Sequence, residues 1–127
     1  IYSVKTITLD SLVNKINLKD YNTIIKLDIE GAETKALEGA SNLIKNASPL
    51  IIIEFSKYLF NDQTKVNFLN NFINEFDYSI YDTNCIKTNL DEVLIRLDKL
   101  NKRHKTIGNF YLIKNSSKNL GVFFENE

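Results

Sequence analysis

Apolar positions along this chain fall into short runs that switch between a two-residue and a helical period. Tyr2, Val4 and Thr6 alternate with Ser3, Lys5 and Ile7, which predicts a strand over residues 2–9. Asp10 then offers an N-cap, and Leu12, Val13 and Ile16 recur at helical spacing, so a short helix is expected over residues 11–18, before the turn-like Lys19-Asp20-Tyr21-Asn22. Residues 23–27 form the next strand, and its nearly continuous apolar run of Ile24, Ile25 and Leu27 predicts a central position with helices over both faces. From Ala32 onward, Ala36, Leu37, Ala40, Leu43 and Ile44 make one helical stripe that stops at Pro49. Residues 50–55 read as a second buried strand, ending on Glu54 and leaving through Phe55-Ser56-Lys57. Val66, Leu69, Phe72, Ile73 and Phe76 then mark a helix, and residues 78–81 a third short strand. Thr88-Asn89-Leu90 opens the clearest helix, with Leu90, Val93, Leu94, Leu97 and Leu100 inward and Asp91 and Glu92 in its first turn, where they suit the helix dipole. Its far end carries Lys99, Lys102, Arg103, His104 and Lys105; Gly108 ends the element, residues 110–113 make a last strand, and residues 122–124 a docking segment after the polar Asn115-Ser116-Ser117-Lys118. Strands alternating with helices predict an α/β sheet with right-handed crossovers.

At 127 residues the chain is expected to be one domain, 1–127, able to bury roughly two thirds of its unfolded surface. Hydrophobic residues at 43% and charged residues at 25% match a folded globular protein, and a formal net charge of zero gives no global footprint for nucleic acid or an anionic membrane. No nucleic-acid or membrane partner is expected, because no apolar run approaches the ~20 residues that span a bilayer. The single Cys85 cannot close an intramolecular disulfide, and no His/Cys set has zinc-ligand spacing, so no metal site is assigned and a reducing cytoplasm fits best. A start at Ile1 without a signal-peptide pattern predicts a processed product or a piece cut from something longer.

The candidate chemistry gathers where the strand of residues 23–27 ends. Asp28, Glu30 and Glu33 surround Gly31 at that point, outside the carboxyl end of a strand, where open α/β sheets bind ligands. Glu54 holds the same position on the following strand. If the two strands are neighbours, ~4.8 Å apart, Asp28, Glu30 and Glu54 can converge on one cleft. Like charges so placed need a cation, a donor or a raised pKa, which leaves three uses open: a general base for a hydroxyl, a magnesium-type oxygen site, or hydrogen bonds to a ligand. Glu33 reads as a helix-start acid satisfying backbone donors, and Gly31 as a bend or close approach. Tyr58 and Phe60 could floor an acceptor pocket or belong to the core. His104 and the basic run around it read as a solvated helix end, with phosphate contact as the sharper alternative, and Cys85 lacks a partner that would activate a thiolate.

Four segments together resemble a known family: Thr8-Leu9-Asp10-Ser11-Leu12, Ile25-Lys26-Leu27-Asp28-Ile29-Glu30-Gly31-Ala32-Glu33, Leu37-Glu38-Gly39-Ala40, and Pro49-Leu50-Ile51-Ile52-Ile53-Glu54. In order and spacing the chain looks like the carboxyl-terminal half of an FkbM-type S-adenosylmethionine-dependent methyltransferase. Beyond Glu54 the agreement is one of pattern, including Gly108-Asn109-Phe110. The resemblance implies a partial Rossmann-like methyltransferase sheet with flanking helices, its strands equivalent to the fourth to seventh and the last antiparallel between the fifth and sixth. It implies methyl transfer to a hydroxyl of a glycan or natural-product acceptor, with Asp28 as the first choice for the base and Glu30 and Glu54 orienting the acceptor or a cation.

The pattern departs from the family in its cofactor half. The four glycines, Gly31, Gly39, Gly108 and Gly121, form no cofactor-type loop, so S-adenosylmethionine would be bound in the full-length protein and the chain alone is expected to be inactive. Without a first strand beside the fourth, one sheet edge is expected to lie open, to be covered by an amino-terminal half or a second copy in a homodimer. Two other functions remain in play: a non-enzymatic interaction module built on the half fold, and a divalent-cation-dependent hydrolase or transferase using the carboxylates directly.

Overall fold

The computed structural model describes residues 3–18 and 21–116. Its elements in chain order are α1 (Leu9–Val13), β1 (Ile24–Leu27), α2 (Glu33–Glu38), α3 (Ser41–Ala47), β2 (Leu50–Ser56), α4 (Gln63–Glu75), β3 (Tyr78–Tyr81), β4 (Lys87–Thr88), α5 (Leu90–Asp98) and β5 (Thr106–Lys114). The five strands form one mixed sheet in the order β1-β2-β5-β3-β4. β1 and β2 are parallel, while β5 runs antiparallel between β2 and β3, and β4 pairs antiparallel with β3.

One face of the sheet carries Ile25, Leu27, Ile51, Ile53, Phe55, Phe110, Leu112, Tyr78 and Ile80, all buried. The helices add Leu37, Ile44, Leu69, Phe72, Val93 and Leu97 to the same cluster, so strand alternation and helical stripes meet in one core. Phe55 sits at its centre, stacked on Phe110 at 4.7 Å between ring centroids and met edge-on by Phe60 at 5.2 Å. Among the described residues no helix is long and apolar enough to cross a membrane.

Several local expectations change. Residues 3–8 are not a strand, because they lie exposed with no ladder partner among the described residues; Val4 is 80% and Ile7 64% accessible. Tyr2, Lys19 and Asp20 lie outside the described residues, as do the tail from Ser117 and the docking segment at 122–124. α1 begins at Leu9 and ends at Val13, shorter than expected, and its N-cap is Thr8, whose hydroxyl accepts from the Ser11 amide. Asp10 caps a different helix: its carboxylate accepts from the amides of Asn42 at 3.0 Å and Leu43 at 2.8 Å, in the first turn of α3.

That long-range cap exists because the stripe from Ala32 is two helices. The chain breaks at Gly39-Ala40, leaving the α3 amides without a side-chain cap of their own. A Cβ on Gly39 would lie 3.3 Å from the Thr8 side chain, and the Gly39 carbonyl accepts from the Asp10 amide at 2.9 Å. Thr8-Leu9-Asp10 and Leu37-Glu38-Gly39-Ala40 are therefore two halves of one packing contact.

β1 is an edge strand and not a central one: Ile24 is 63% exposed and Lys26 lies open, so only Ile25 and Leu27 face the core. A groove of about 440 Å³ runs along this edge between Leu9, Val13, Leu18 and Leu43. Gly108 does not end the last helix but lies inside β5, at φ +96° beside a register shift at Phe55/Ser56. Phe55 pairs with Gly108 and Ser56 with Thr106, leaving Ile107 as the extra residue of a bulge.

Replacing Asp10 by Ala should cost about 1–2 kcal/mol in urea unfolding, with Asp10→Asn recovering part of the loss. Tyr78, whose hydroxyl donates to the Pro49 carbonyl at 2.9 Å, has its ionisation pushed well above the usual phenol range by burial. Its contribution is therefore complete below the unfolded phenol pKa of about 10 and is lost as pH rises toward the folded value. Tyr78→Phe should lose about 1 kcal/mol at neutral pH and flatten the fall in stability above pH ~10, read from urea midpoints against pH.

Candidate functional site

The ladder between β1 and β2 pairs Ile24 with Leu50 through Leu27 with Ile53. One step further along the same offset, Asp28, just past the end of β1, stands level with Glu54, two residues before the end of β2, on strands ~4.8 Å apart. Side chains alternate, so Asp28 and Glu54 share the face opposite Leu27 and Ile53. On the other side of β2, Glu54 pairs with Asn109 of β5. Asp28, Glu54 and Asn109 thus form a row across three strands.

Asp28 is exposed and ion-paired with Lys26, Nζ to Oδ2 at 2.8 Å, two residues back on the same face. Glu54 is half-buried. Asn109 is half-buried too, and its Oδ1 is shut off from solvent with no hydrogen-bond partner among the described residues. An acceptor oxygen in that state is costly, and nothing in the sequence marked this residue except its place in Gly108-Asn109-Phe110.

The turn after Asp28 is held by its own residues. Glu30 at φ +57° and Gly31 at φ +97° both take left-handed backbone, which reverses the chain after β1. Glu33 is fully buried, and its Oε1 accepts from the Ile29 amide at 3.0 Å, closing the turn from within. Its Oε2 has no hydrogen-bond partner among the described residues. Glu33 is thus a structural acid, and Glu30 is left exposed at the tip of the turn.

Gly31 brings this turn against the loop after β2. A Cβ there would lie 3.0 Å from both the Cβ and the carbonyl oxygen of Tyr58, so glycine is required for space as well as for its φ. Tyr58 is 42% exposed beside the turn, with Lys105 Nζ 5.9 Å above its ring and Lys65 Nζ donating to its carbonyl at 3.0 Å. Phe60 faces the other way, packed against the core on the edge of Phe55. The structure accordingly brings together Asp28, Glu54 and Tyr58 at one end of the sheet and directs Phe60 inward. Asp28, Glu30 and Glu54 do not close around a cation: among the described residues no three His, Cys, Asp or Glu side chains are grouped so as to hold a metal ion.

A model of the FkbM methyltransferase domain matches residues 1–80 of this sequence, which takes in α1, the turn after β1, the Gly39 break and β2. The chain belongs to the FkbM methyltransferase family. Comparison with curated proteins finds no match, and comparison with solved structures finds none either. The FkbM match spans both halves of the Thr8–Gly39 contact and the whole carboxylate turn, so what it covers is partly architecture and partly the candidate site.

FkbM methyltransferases are S-adenosylmethionine-dependent, which makes the seat for that cofactor a question of fit. Gly31 and Gly39 are each filled by this chain's own side chains, and Gly108 serves a bulge with open space around it. The described residues do not form a glycine cradle for the methyl donor. Gly31→Ala should cost about 1–3 kcal/mol in thermal or urea unfolding, since it adds strain at positive φ to a contact with the Tyr58 backbone.

Proposed function

We propose that this chain forms the acceptor-side portion of an S-adenosylmethionine-dependent O-methyltransferase acting on a hydroxyl of a glycan or natural product. The supporting observation is the register that sets Asp28 level with Glu54 toward the carboxyl ends of two parallel strands in an FkbM family chain. In this reading β1, β2, β3 and β5 correspond to the fourth, fifth, sixth and seventh strands of a methyltransferase sheet, and the methyl donor is held by residues beyond those that build this half. The chain alone would therefore bind acceptor without turning it over.

Each residue then has a distinct task. Asp28, open to solvent and ion-paired with Lys26 at 2.8 Å, accepts the hydroxyl proton. Glu54, level with it, accepts a hydrogen bond from a neighbouring hydroxyl of the acceptor and so orients the reacting one, and Glu30 reaches the acceptor from the turn. Tyr58 offers a ring face beside them. Holding the hydroxyl in one orientation is the main contribution such a half can make, because alignment removes much of the entropic barrier.

A second reading has its own observation. The unpaired edge of β1 and the apolar groove along it suit a non-enzymatic module that binds a second copy of this chain. An antiparallel pair centred on Leu27 would set each Lys26 opposite Asp28 of the copy, giving two cross-strand ion pairs. A concentration-independent dimer in sedimentation equilibrium would favour this module.

The acceptor reading is tested by titrating the isotope-labelled protein with methyl glycosides and hydroxylated polyketides and following amide resonances. Shifts are expected at residues 28–31 and 54–58, with Asp28→Asn weakening binding about tenfold. Because Asp28 is exposed, that substitution should leave unfolding free energy within about 0.5 kcal/mol. Shifts confined to other surfaces, or none across the panel, would overturn the assignment.

A further inference from the structure

The basic run after α5 lies at the same end of the sheet as the candidate carboxylates. Lys102, Arg103, His104 and Lys105 are all exposed, and they occupy the segment that leads into β5. β5 runs antiparallel to β2, so its beginning lies at the same end of the sheet as the carboxyl end of β2. The junction is tight: the Lys57 amide donates to the Lys105 carbonyl at 2.7 Å, one step beyond the Ser56–Thr106 pair. Lys57 Nζ reaches across to the Leu100 carbonyl at 3.2 Å, and the Asn101 side chain accepts from the amides of Arg103 and His104. The segment is therefore fixed in place by the loop that carries Tyr58.

Among the described residues the charges on it have no acidic partner. Lys26 pairs with Asp28 and Arg96 with Asp82, but Lys102, Arg103 and Lys105 are in no ion pair among the described residues. No Asp or Glu occurs between Lys99 and Phe124, and Asp98 is the last acid before the run. Lys105 leans over the Tyr58 ring, and Tyr58 in turn touches Gly31 of the carboxylate turn. A continuous path of contacts thus joins a cluster of free cations to the acids, in a chain whose net charge is zero.

We infer that the acceptor bound at this site carries an anionic group, a carboxylate, sulfate or phosphate, which Arg103 and Lys105 hold at the rim while its hydroxyl meets Asp28. The inference rests on the acceptor reading above and specifies its substrate class. An acidic floor alone would repel an anionic acceptor; cations on one side make the site bipolar, so the acceptor enters in one orientation. Arg103 supplies a planar fork suited to such an oxyanion, and Lys105 a point charge beside the Tyr58 face.

The test is titration of the whole chain with trigalacturonate, with glucose 6-phosphate and with neutral maltotriose, followed by amide resonances at low salt. The anionic probes should shift both residues 102–105 and residues 28–31, and bind at least about tenfold tighter than maltotriose. The double substitution R103E/K105E should abolish that preference while leaving the unfolding midpoint near that of the parent, since both side chains are exposed. The galacturonate and phosphate arms separate a carboxylate acceptor from a phosphorylated one. Equal binding of neutral and anionic probes at residues 28–31 would overturn the inference and leave the acceptor site standing. Shifts confined to residues 102–105 would reduce the run to non-specific ion pairing, and the inference would fail. No shift at residues 28–31 with any probe would remove both readings.

Discussion

The pairing of β2 with its two neighbours is the constraint on which everything else depends. One ladder, to β1, is parallel and sets Asp28 level with Glu54; the other, to β5, is antiparallel and sets Asn109 beside Glu54. Because side chains alternate strictly along a strand, a slip of one residue in either ladder would turn these polar groups into the core and Ile51, Ile53 and Phe55 out of it. The hydrophobic face of β2 thus fixes the position of the acids at its end. Burial and chemistry are set by the same register.

Two glycines adapt this frame to the site. Gly39 lets the segment before α1 lie against the break between α2 and α3, where Asp10 supplies the cap that α3 lacks. Gly31 lets the turn after β1 lie against Tyr58, so the loops following two adjacent strands become one surface. The first contact is architectural and the second shapes the candidate site. The FkbM family match includes both.

How much of this was legible in the sequence depends on whether the deciding force was local. α4, β3 and α5 follow from their own periodicity and caps: Asp62, held below its usual pKa by hydrogen bonds from the Thr64 hydroxyl and amide, and Asn89, which accepts from the Glu92 amide. Residues 3–8 have strand-like alternation but no partner, and alternation without a ladder does not make a strand. Asp10 looks like a local cap in sequence, yet Thr8 fills that role and Asp10 reaches over thirty residues onward to Asn42 and Leu43. The unbroken stripe from Ala32 hid the division at Gly39, since apolar spacing continues across it. At the site, Asp28, Glu54 and Tyr58 were visible as residues at strand ends, but Asn109 and the basic run entered only through the antiparallel return of β5. Phe60 could not be assigned to core or pocket until its ring was seen on Phe55.

The placement of β5 has a consequence for how the molecule comes to be. The last described strand lies in the interior of the sheet, between β2 and β3, which are not paired with one another. A chain emerging from the ribosome can pair β1 with β2 and β3 with β4, but the two pieces stay separate until residue 114 is available. Joining them closes one loop of about fifty residues from β2 and another of about twenty-five from β3, a late and entropically costly event. Until then Ile51, Ile53 and Phe55 lack the strand that covers one side of β2, so the nascent protein exposes its most apolar edge when it has no means of closing it.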